Sequence, residues 1–282
     1  MVTRFSICAA LSLAALRVAW GAQPESCGQV VTIPTHGGTT TRYALARPEG
    51  SPARDSPIAL VLLVGDEGHL DLDDKGRPRA LEGNSLVRSL PDFHAAGFAT
   101  ALVDAPSDHL GDDGLAGFRI AEQHADDLGN VIADVRARTK GPVWVVGTSR
   151  GTISAVNAAS RLSGASAPDG LVLTSAVTSG GTGRYKPWAA QTVFDLRLEA
   201  IRMPVLVVGH AADKCLRSPA SHMGDITDRT NGSREQVVTV TGGPGSAASG
   251  ADVCEGRAPH GFIEQEAAIA AGIARFIRGG SY

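Results

Sequence analysis

Residues 142–151 read Pro-Val-Trp-Val-Val-Gly-Thr-Ser-Arg-Gly, and residues 152–162 continue Thr-Ile-Ser-Ala-Val-Asn-Ala-Ala-Ser-Arg-Leu. The first stretch is an apolar run of strand character and the second an alanine-rich run of helical character, so Ser149 falls at the bend between them. A strand that turns sharply into a helix strains the bend residue and brings neighbouring backbones close, and Gly147 and Gly151 leave the room this needs. Such a bend holds a serine hydroxyl out at the carboxyl edge of a sheet, the geometry of a nucleophile elbow. The same spelling occurs in glycine-rich turns without chemistry. The strand before it and the helix after it give this one its meaning.

The rest of the chain repeats the alternation. Val30–Ile33 and Thr41–Ala46 read as short strands separated by a hairpin turn over Thr35–Thr39. Ile58–Val64 is a continuous apolar run, typical of a strand buried on both faces. A long polar loop, a helical pattern from Leu86 to Gly97 and the strand Phe98–Val103 follow. Between Ile120 and Arg138 apolar residues recur at helical spacing among acids and arginines, as in an amphipathic surface helix. After the elbow come the strands Gly170–Thr174, Met203–Val208 and Gln236–Val240, with helices expected over Thr152–Leu162, Ser218–Arg229 and Phe262–Ile277. Strands alternating with helices imply an α/β fold: a mostly parallel central sheet with antiparallel N-terminal strands and helices on both faces. The chain has 282 residues, 43% hydrophobic and 20% charged, without internal repeats or a dividing linker, so one domain is expected over 22–282.

Residues 1–21 have a basic start at Arg4, a short apolar run and small residues for cleavage near Gly21, the pattern of a secretory signal peptide. The run is too short to span a bilayer, and Arg17 interrupts its end, so no stable membrane anchor is expected. Cleavage after Gly21 removes Arg4 and Arg17 with no acid and takes the net charge from −3 to −5. A mildly acidic chain is a poor partner for nucleic acid. The expected location is periplasmic or secreted. Of the four cysteines, Cys8 leaves with the leader, and Cys215 and Cys254 are the natural disulfide pair on two loops at the same sheet edge. Cys27 is left over.

A serine needs an imidazole to take its proton and a carboxylate to hold that imidazole in the right tautomer. With an elbow, the chain order is serine, then acid, then histidine, each on a loop after a strand. Only His210, His222 and His260 follow Ser149. His210 ends a strand and His222 lies in an expected helix, whereas His260 follows the last strand and its glycine-rich loop, and is chosen. Asp213, just past the strand ending at His210, is the acid, with Asp195 and Glu199 as earlier alternatives on what reads as a solvated segment. A Cys215–Cys254 bridge would tie the Asp213 loop to the His260 loop. Two backbone donors are needed for a tetrahedral oxyanion. One is the Arg150 amide at the start of the helix. The other comes from Gly65-Asp-Glu-Gly-His69, with Asp66 preferred over Glu67, on condition that both acidic side chains point away.

The motifs Gly147-Thr-Ser-Arg-Gly151, Gly209-His-Ala-Ala-Asp213 and Pro259-His-Gly-Phe262, on this alternation, resemble the α/β-hydrolase family over nearly all of residues 22–282. The similarity is greatest to secreted bacterial members with an Asp-Ala-Pro-Ser-Asp loop after a strand, here Asp104–Asp108. The resemblance implies a Ser149, Asp213, His260 triad, an oxyanion hole from the Asp66 and Arg150 amides, and a serine hydrolase that cleaves a small-molecule carboxylic ester. Val64 departs from it, standing where many members carry a histidine before the oxyanion-loop glycine. A peptidase or an acyltransferase would use the same machinery, and a non-catalytic binding protein could keep the scaffold.

No cofactor and no metal are expected. Asp71-Leu-Asp-Asp-Lys75-Gly76 with Glu82 faintly resembles a calcium loop, but Lys75 occupies a ligand position and no helix pair flanks it. Arg150 is expected to pair with Asp104 or Asp108 rather than bind a substrate carboxylate. Trp188, in a glycine-rich segment, is expected to pack or to roof the pocket. The connection from Val177 to Met203 has room for only a small cap.

Overall fold

The computed structural model describes residues 27–48, 57–181 and 186–282, so the leader expected over 1–21 lies outside the described residues. Strands β1 (Gln29–Pro34) and β2 (Thr40–Ala46) form the hairpin read at the start of the chain. β3 (Ala59–Leu63), β4 (Ala99–Val103), β5 (Val143–Thr148), β6 (Gly170–Thr174), β7 (Val205–His210) and β8 (Glu235–Val240) follow, and all eight join one sheet in the order β1-β2-β4-β3-β5-β6-β7-β8. β2 is antiparallel to β1 and β4, and every other pair is parallel. Every residue of β3 to β7 is buried, which is why these strands read as unbroken apolar runs. β8 lies at the edge and alternates between exposed and half-buried residues.

The helices are α1 (Ser85–Arg88), α2 (Leu90–Ala95), α3 (Glu122–Thr139), α4 (Gly151–Arg161), α5 (Gly224–Thr227) and α6 (Glu266–Ile277). Leu128, Val131, Ile132 and Val135 of α3, Ile153 and Val156 of α4 and Ile226 of α5 pack on one face of the sheet. Leu90 and Phe93 of α2, with Ile269, Ile273 and Phe276 of α6, cover the other. The architecture is the one the sequence implied.

Two helices start differently. The segment expected to be helical from Ser218 to Arg229 holds a 3-10 turn (Ala220–His222) and the single turn α5, because the Ser218 hydroxyl is drawn away from the backbone and Gly224 opens a new element. α6 begins at Glu266 rather than Phe262, because Phe262 and Glu264 sit at φ 54° and 60°, in the left-handed region.

The chain runs from β3 to β4 on one side and then returns past β3 to place β5 on the other, so the strand order reverses between β3 and β5. Loops leaving the carboxyl ends of these strands part there and open a crevice. Side chains behind that edge fix its loops. Asp104 accepts the amides of Leu70 (2.6 Å), Leu72 (3.1 Å) and Ala105 (2.9 Å), which pins the loop after β3 to the loop after β4. Arg88 pairs with Glu266 at 2.7 Å and donates to the carbonyls of Gly83, Gly256 (2.8 Å) and Gly261 (2.8 Å). It therefore holds the segment around residue 260 against α1 and α6.

At Gly151 the α4 backbone crosses so close to β3 that an added Cβ would lie 2.1 Å from the Leu63 carbonyl oxygen and 2.6 Å from that of Val64. Neither neighbour is a flexible side chain. Gly151→Ala is therefore expected to destabilise the protein by about 3 kcal/mol, measurable as a lower urea midpoint with an unchanged slope.

Candidate active site

Ser149 follows β5 directly and lies at φ 49°, a conformation that costs a non-glycine residue about 1–3 kcal/mol. Its N–H donates to the Thr174 carbonyl at 3.0 Å, and its own carbonyl accepts from Thr152 Oγ1 at 2.6 Å. The strained turn is thus held from both sides. Gly65, at the end of β3, lies against it: a Cβ there would come within 2.8 Å of Ser149 Cβ and 3.3 Å of its Oγ. The switch point of the sheet and the elbow serine coincide.

Asp213 and His260 meet as expected. His260 Nδ1 lies 2.9 Å from Asp213 Oδ2, with both side chains almost wholly buried. The Asp213 carboxylate also accepts the Cys215 amide at 2.8 Å and the Ser218 hydroxyl at 2.9 Å. With three donors it is fully engaged and aimed. Ser218 Oγ lies 2.9 Å from His260 Nδ1 as well, so the ring N–H is shared between the carboxylate and this hydroxyl. His260 Nε2 is buried, and among the described residues it has no hydrogen-bond partner, Ser149 included. Ser149 and His260 are nonetheless joined through β6: the Thr174 carbonyl takes the Ser149 amide, and Ser175 Oγ, one residue on, donates to the His260 carbonyl at 2.6 Å.

The alternatives are occupied elsewhere. Asp195 caps its own 3-10 turn through Thr192, and Glu199 faces Arg197. His210 Nε2 is held by Gln265 at 2.8 Å, and its Nδ1 accepts from the Ala212 amide. His222 is exposed.

On the loop after β3, Arg119 supplies an unexpected support. Its guanidinium, 2% exposed, donates from Nη2 to three successive carbonyls, Val64 (3.3 Å), Gly65 (3.2 Å) and Asp66 (3.1 Å), and from Nη1 to Ser154 Oγ (2.8 Å). A peptide's N–H points opposite to its C=O, so the amides of Asp66 and Glu67 are turned away from Arg119. Among the described residues neither they nor the Arg150 amide have a hydrogen-bond partner. The Asp66 side chain is half-buried. Burial first, and then Glu67, push its pKa up. Asp66 also lines a cleft of about 530 Å³ with Leu81, Asn84, Glu255 and Arg257.

Arg150 pairs with neither Asp104, whose oxygens face backbone amides, nor Asp108, which faces His36. That expectation is corrected: the Arg150 guanidinium lies 4.3 Å over the Trp188 ring. The connection from β6 to β7 contains only short 3-10 turns among its described residues. In the segment that resembled a calcium loop, Asp73 is taken up by Arg77 and by the amides of Lys75 and Arg77.

No family model matches the sequence, and no curated protein matches it. Solved structures do. Est1E of Butyrivibrio proteoclasticus with ferulic acid bound superposes with a TM-score of 0.60 at 15% identity, over 88% of this chain and 98% of its own. A dienelactone hydrolase of Anabaena variabilis gives 0.54 at 14% identity, over 90% and 99%. A lidless α/β serine hydrolase of Xanthomonas campestris gives 0.54 at 16%, over 91% and 97%. The fold is that of the α/β-hydrolases.

On this sheet Ser149 occupies the strand-to-helix turn after β5, and His260 lies on the loop after the last strand. Ser218, Ser175 and Arg119 had no motif to flag them; each acts through residues distant in sequence. Cys215 and Cys254 form a disulfide with Cα atoms 4.7 Å apart, fastening the Asp213 loop to the segment before His260. Cys27 is a free thiol, buried in the core under the β1–β2 hairpin.

His124, beside Arg119, is fully buried and bonded to Ser154 Oγ at 2.8 Å. Burial, and then the charges of Arg119, His109 and His36, push its pKa down to about 3. A histidine neutral in the fold but basic when unfolded adds stability that is full above about pH 6.5 and is lost progressively as pH falls toward 3. Urea midpoints should therefore fall between pH 7 and 5, and less steeply in His124→Gln. Replacing Cys215 and Cys254 together by serine should cost about 2–4 kcal/mol, read from the same denaturation curves.

Proposed function

We propose that the protein is a serine hydrolase that cleaves a carboxylic ester through an acyl-enzyme. The observation that carries this reading is the Asp213–His260 pair, bonded on its Nδ1 side and unpartnered at Nε2, in a fold that also holds a strained serine at the sheet's switch point. His260 Nε2 takes the proton of Ser149 Oγ as the oxygen attacks the ester carbonyl. The amides of Arg150 and Asp66 stabilise the oxyanion, and Arg119 holds the Asp66 peptide in that orientation. His260 then gives its proton to the departing alcohol. In the second half the same nitrogen activates water, which releases the acid and restores Ser149.

Ser218 places a hydroxyl against the His260 ring, and its place argues against attack. It sits on the Nδ1 side with Asp213, is 1% exposed, and donates to the carboxylate. The nitrogen that could deprotonate it is already committed. A positioning role fits: Ser218 and Asp213 together fix the ring's tautomer.

The short β6–β7 connection leaves the site with a small roof around Trp188, which suits small or exposed acyl groups. Similarity to a lidless serine hydrolase supports the small cap, and similarity to Est1E with ferulic acid bound supports a small carboxylic acyl group. The leader read over residues 1–21 and the Cys215–Cys254 disulfide support export to an oxidising compartment.

One observation favours a second reading, a binding protein on a hydrolase scaffold: Ser149 and His260 are not hydrogen-bonded. In unliganded hydrolases this contact is often long and tightens with substrate. Fluorophosphonate labelling separates the two. Adduct is expected on Ser149, and none in Ser149→Ala; no adduct on the wild type, with a control hydrolase labelled, establishes the binding protein. On p-nitrophenyl acetate and butyrate, Ser149→Ala should lose about 10⁴-fold or more in kcat. Ser218→Ala, which leaves the Asp213–His260 hydrogen bond in place, should lose about tenfold or less.

A further inference from the structure

On the opposite flank of the molecule from the Asp213 loop, three side chains from two loops converge. His36 lies in the 3-10 turn between β1 and β2, and Asp108 and His109 lie in the loop after β4. One ligand-capable atom from each falls within 4.8 Å of the others. His36 Nε2 is 3.1 Å from Asp108 Oδ2, and His109 Nε2 is 3.9 Å from the same oxygen.

The outer nitrogen of each ring is already engaged. His36 Nδ1 is 2.6 Å from Asp127 Oδ2, a buried carboxylate on α3 that also accepts the His36 amide at 2.8 Å. His109 Nδ1 donates to the Gly114 carbonyl at 3.0 Å. A carboxylate or carbonyl on the far nitrogen is what fixes the tautomer of a metal-ligating histidine, and here both rings have it. An ion would take the place of the proton that His36 Nε2 now donates to Asp108 Oδ2. Phe118 sets their planes as well, stacked on His109 at 4.2 Å and tilted against His36 at 4.9 Å. The rings are thus oriented by groups outside the cluster, and both present Nε2 toward one exposed carboxylate.

We propose that His36, Asp108 and His109 form a binding site for a divalent transition cation of the Zn²⁺ class. Two imidazole nitrogens and a carboxylate are a borderline ligand set that favours Zn²⁺ over Mg²⁺ or Ca²⁺, which take oxygen donors. With bonds of about 2.0–2.1 Å, tetrahedral ligands lie about 3.3 Å apart. The present separations, none above 4.8 Å, reach that by closing movements of up to about 1.5 Å in partly exposed side chains. Asp108 and both rings are partly exposed, so a fourth position is open to water.

Such an ion would clip the β1–β2 turn to the loop after β4. That loop in turn donates its Leu115 amide to the Glu67 carbonyl at 2.8 Å, in the segment that Arg119 also holds. The site is therefore a structural clasp on the loop that flanks the proposed oxyanion amides.

Isothermal titration of the purified full chain with Zn²⁺ tests this directly. One ion per chain should bind, with an endothermic or exothermic step absent from a Mg²⁺ titration, and the thermal midpoint should rise with Zn²⁺. Asp108→Ala and His109→Ala should each abolish that step, while His222→Ala, on the far loop, should leave it unchanged. Asp127→Asn, which touches no ion, should weaken binding about 10–100-fold. Circular dichroism confirms that each variant is folded. Absence of saturable Zn²⁺ binding by the wild type, or the same binding in folded His109→Ala, overturns the proposal.

Discussion

Three backbones meet at one point of this molecule with no room for a side chain between them. α4 leaves the end of β5 across the end of β3, and Gly151 lies against the Leu63 and Val64 carbonyls there. A Cβ on Gly65 would in turn meet Ser149. Because the strand order reverses at this same place, the loops after β3 and β5 diverge from it and leave their amides facing open space. The strain at Ser149 is affordable only because the buried strands on either side cannot relax. Every other feature of the candidate site is arranged around that fixed point.

The groups proposed to act with Ser149 come from loops, which are the more mobile parts of most folds. Here each is fastened. The Asp213 loop is tied to the segment before His260 by the Cys215–Cys254 disulfide, and the Asp213 carboxylate closes three donors around itself. Residue 260 is held by Ser175 at its carbonyl, and Arg88 grips Gly256 and Gly261 on either side of it. On the other side Arg119, buried and surrounded by carbonyls, gives the loop after β3 its curl. Preorganisation of this kind stabilises developing charge without a reorganisation cost at the moment of reaction.

Charge around the site is less settled than its shape. Burial favours the neutral form of the Asp66 carboxyl. A neutral Asp66 offers an oxyanion no repulsion, and an ionised one would. Arg150, stacked on Trp188, places a cation nearby to compensate.

Much of this was legible in the residues. Unbroken apolar runs named the buried strands, because a strand covered on both faces has no polar side to show. The glycines at 147 and 151 named the elbow, and placement on loops just after strands set Asp213 and His260 apart from Asp195, Glu199, His210 and His222. Local pattern carries such features because they depend on residues a few positions apart. Contacts between residues far apart in the chain carry no local signature, and the fold alone decided those. Arg119 reads as one more surface arginine until the sheet sets it beneath the carbonyls of residues 64–66. Arg150 looked like a partner for Asp104 or Asp108, but packing sends those carboxylates to backbone amides and to His36. Ser218 sits in what read as a helix, and only the closeness of two loops turns its hydroxyl toward Asp213 and His260. The sequence by itself determined which elements form and where the bend must fall; the tertiary structure decided which polar groups meet there, because a hydrogen bond depends on distance in space and not along the chain.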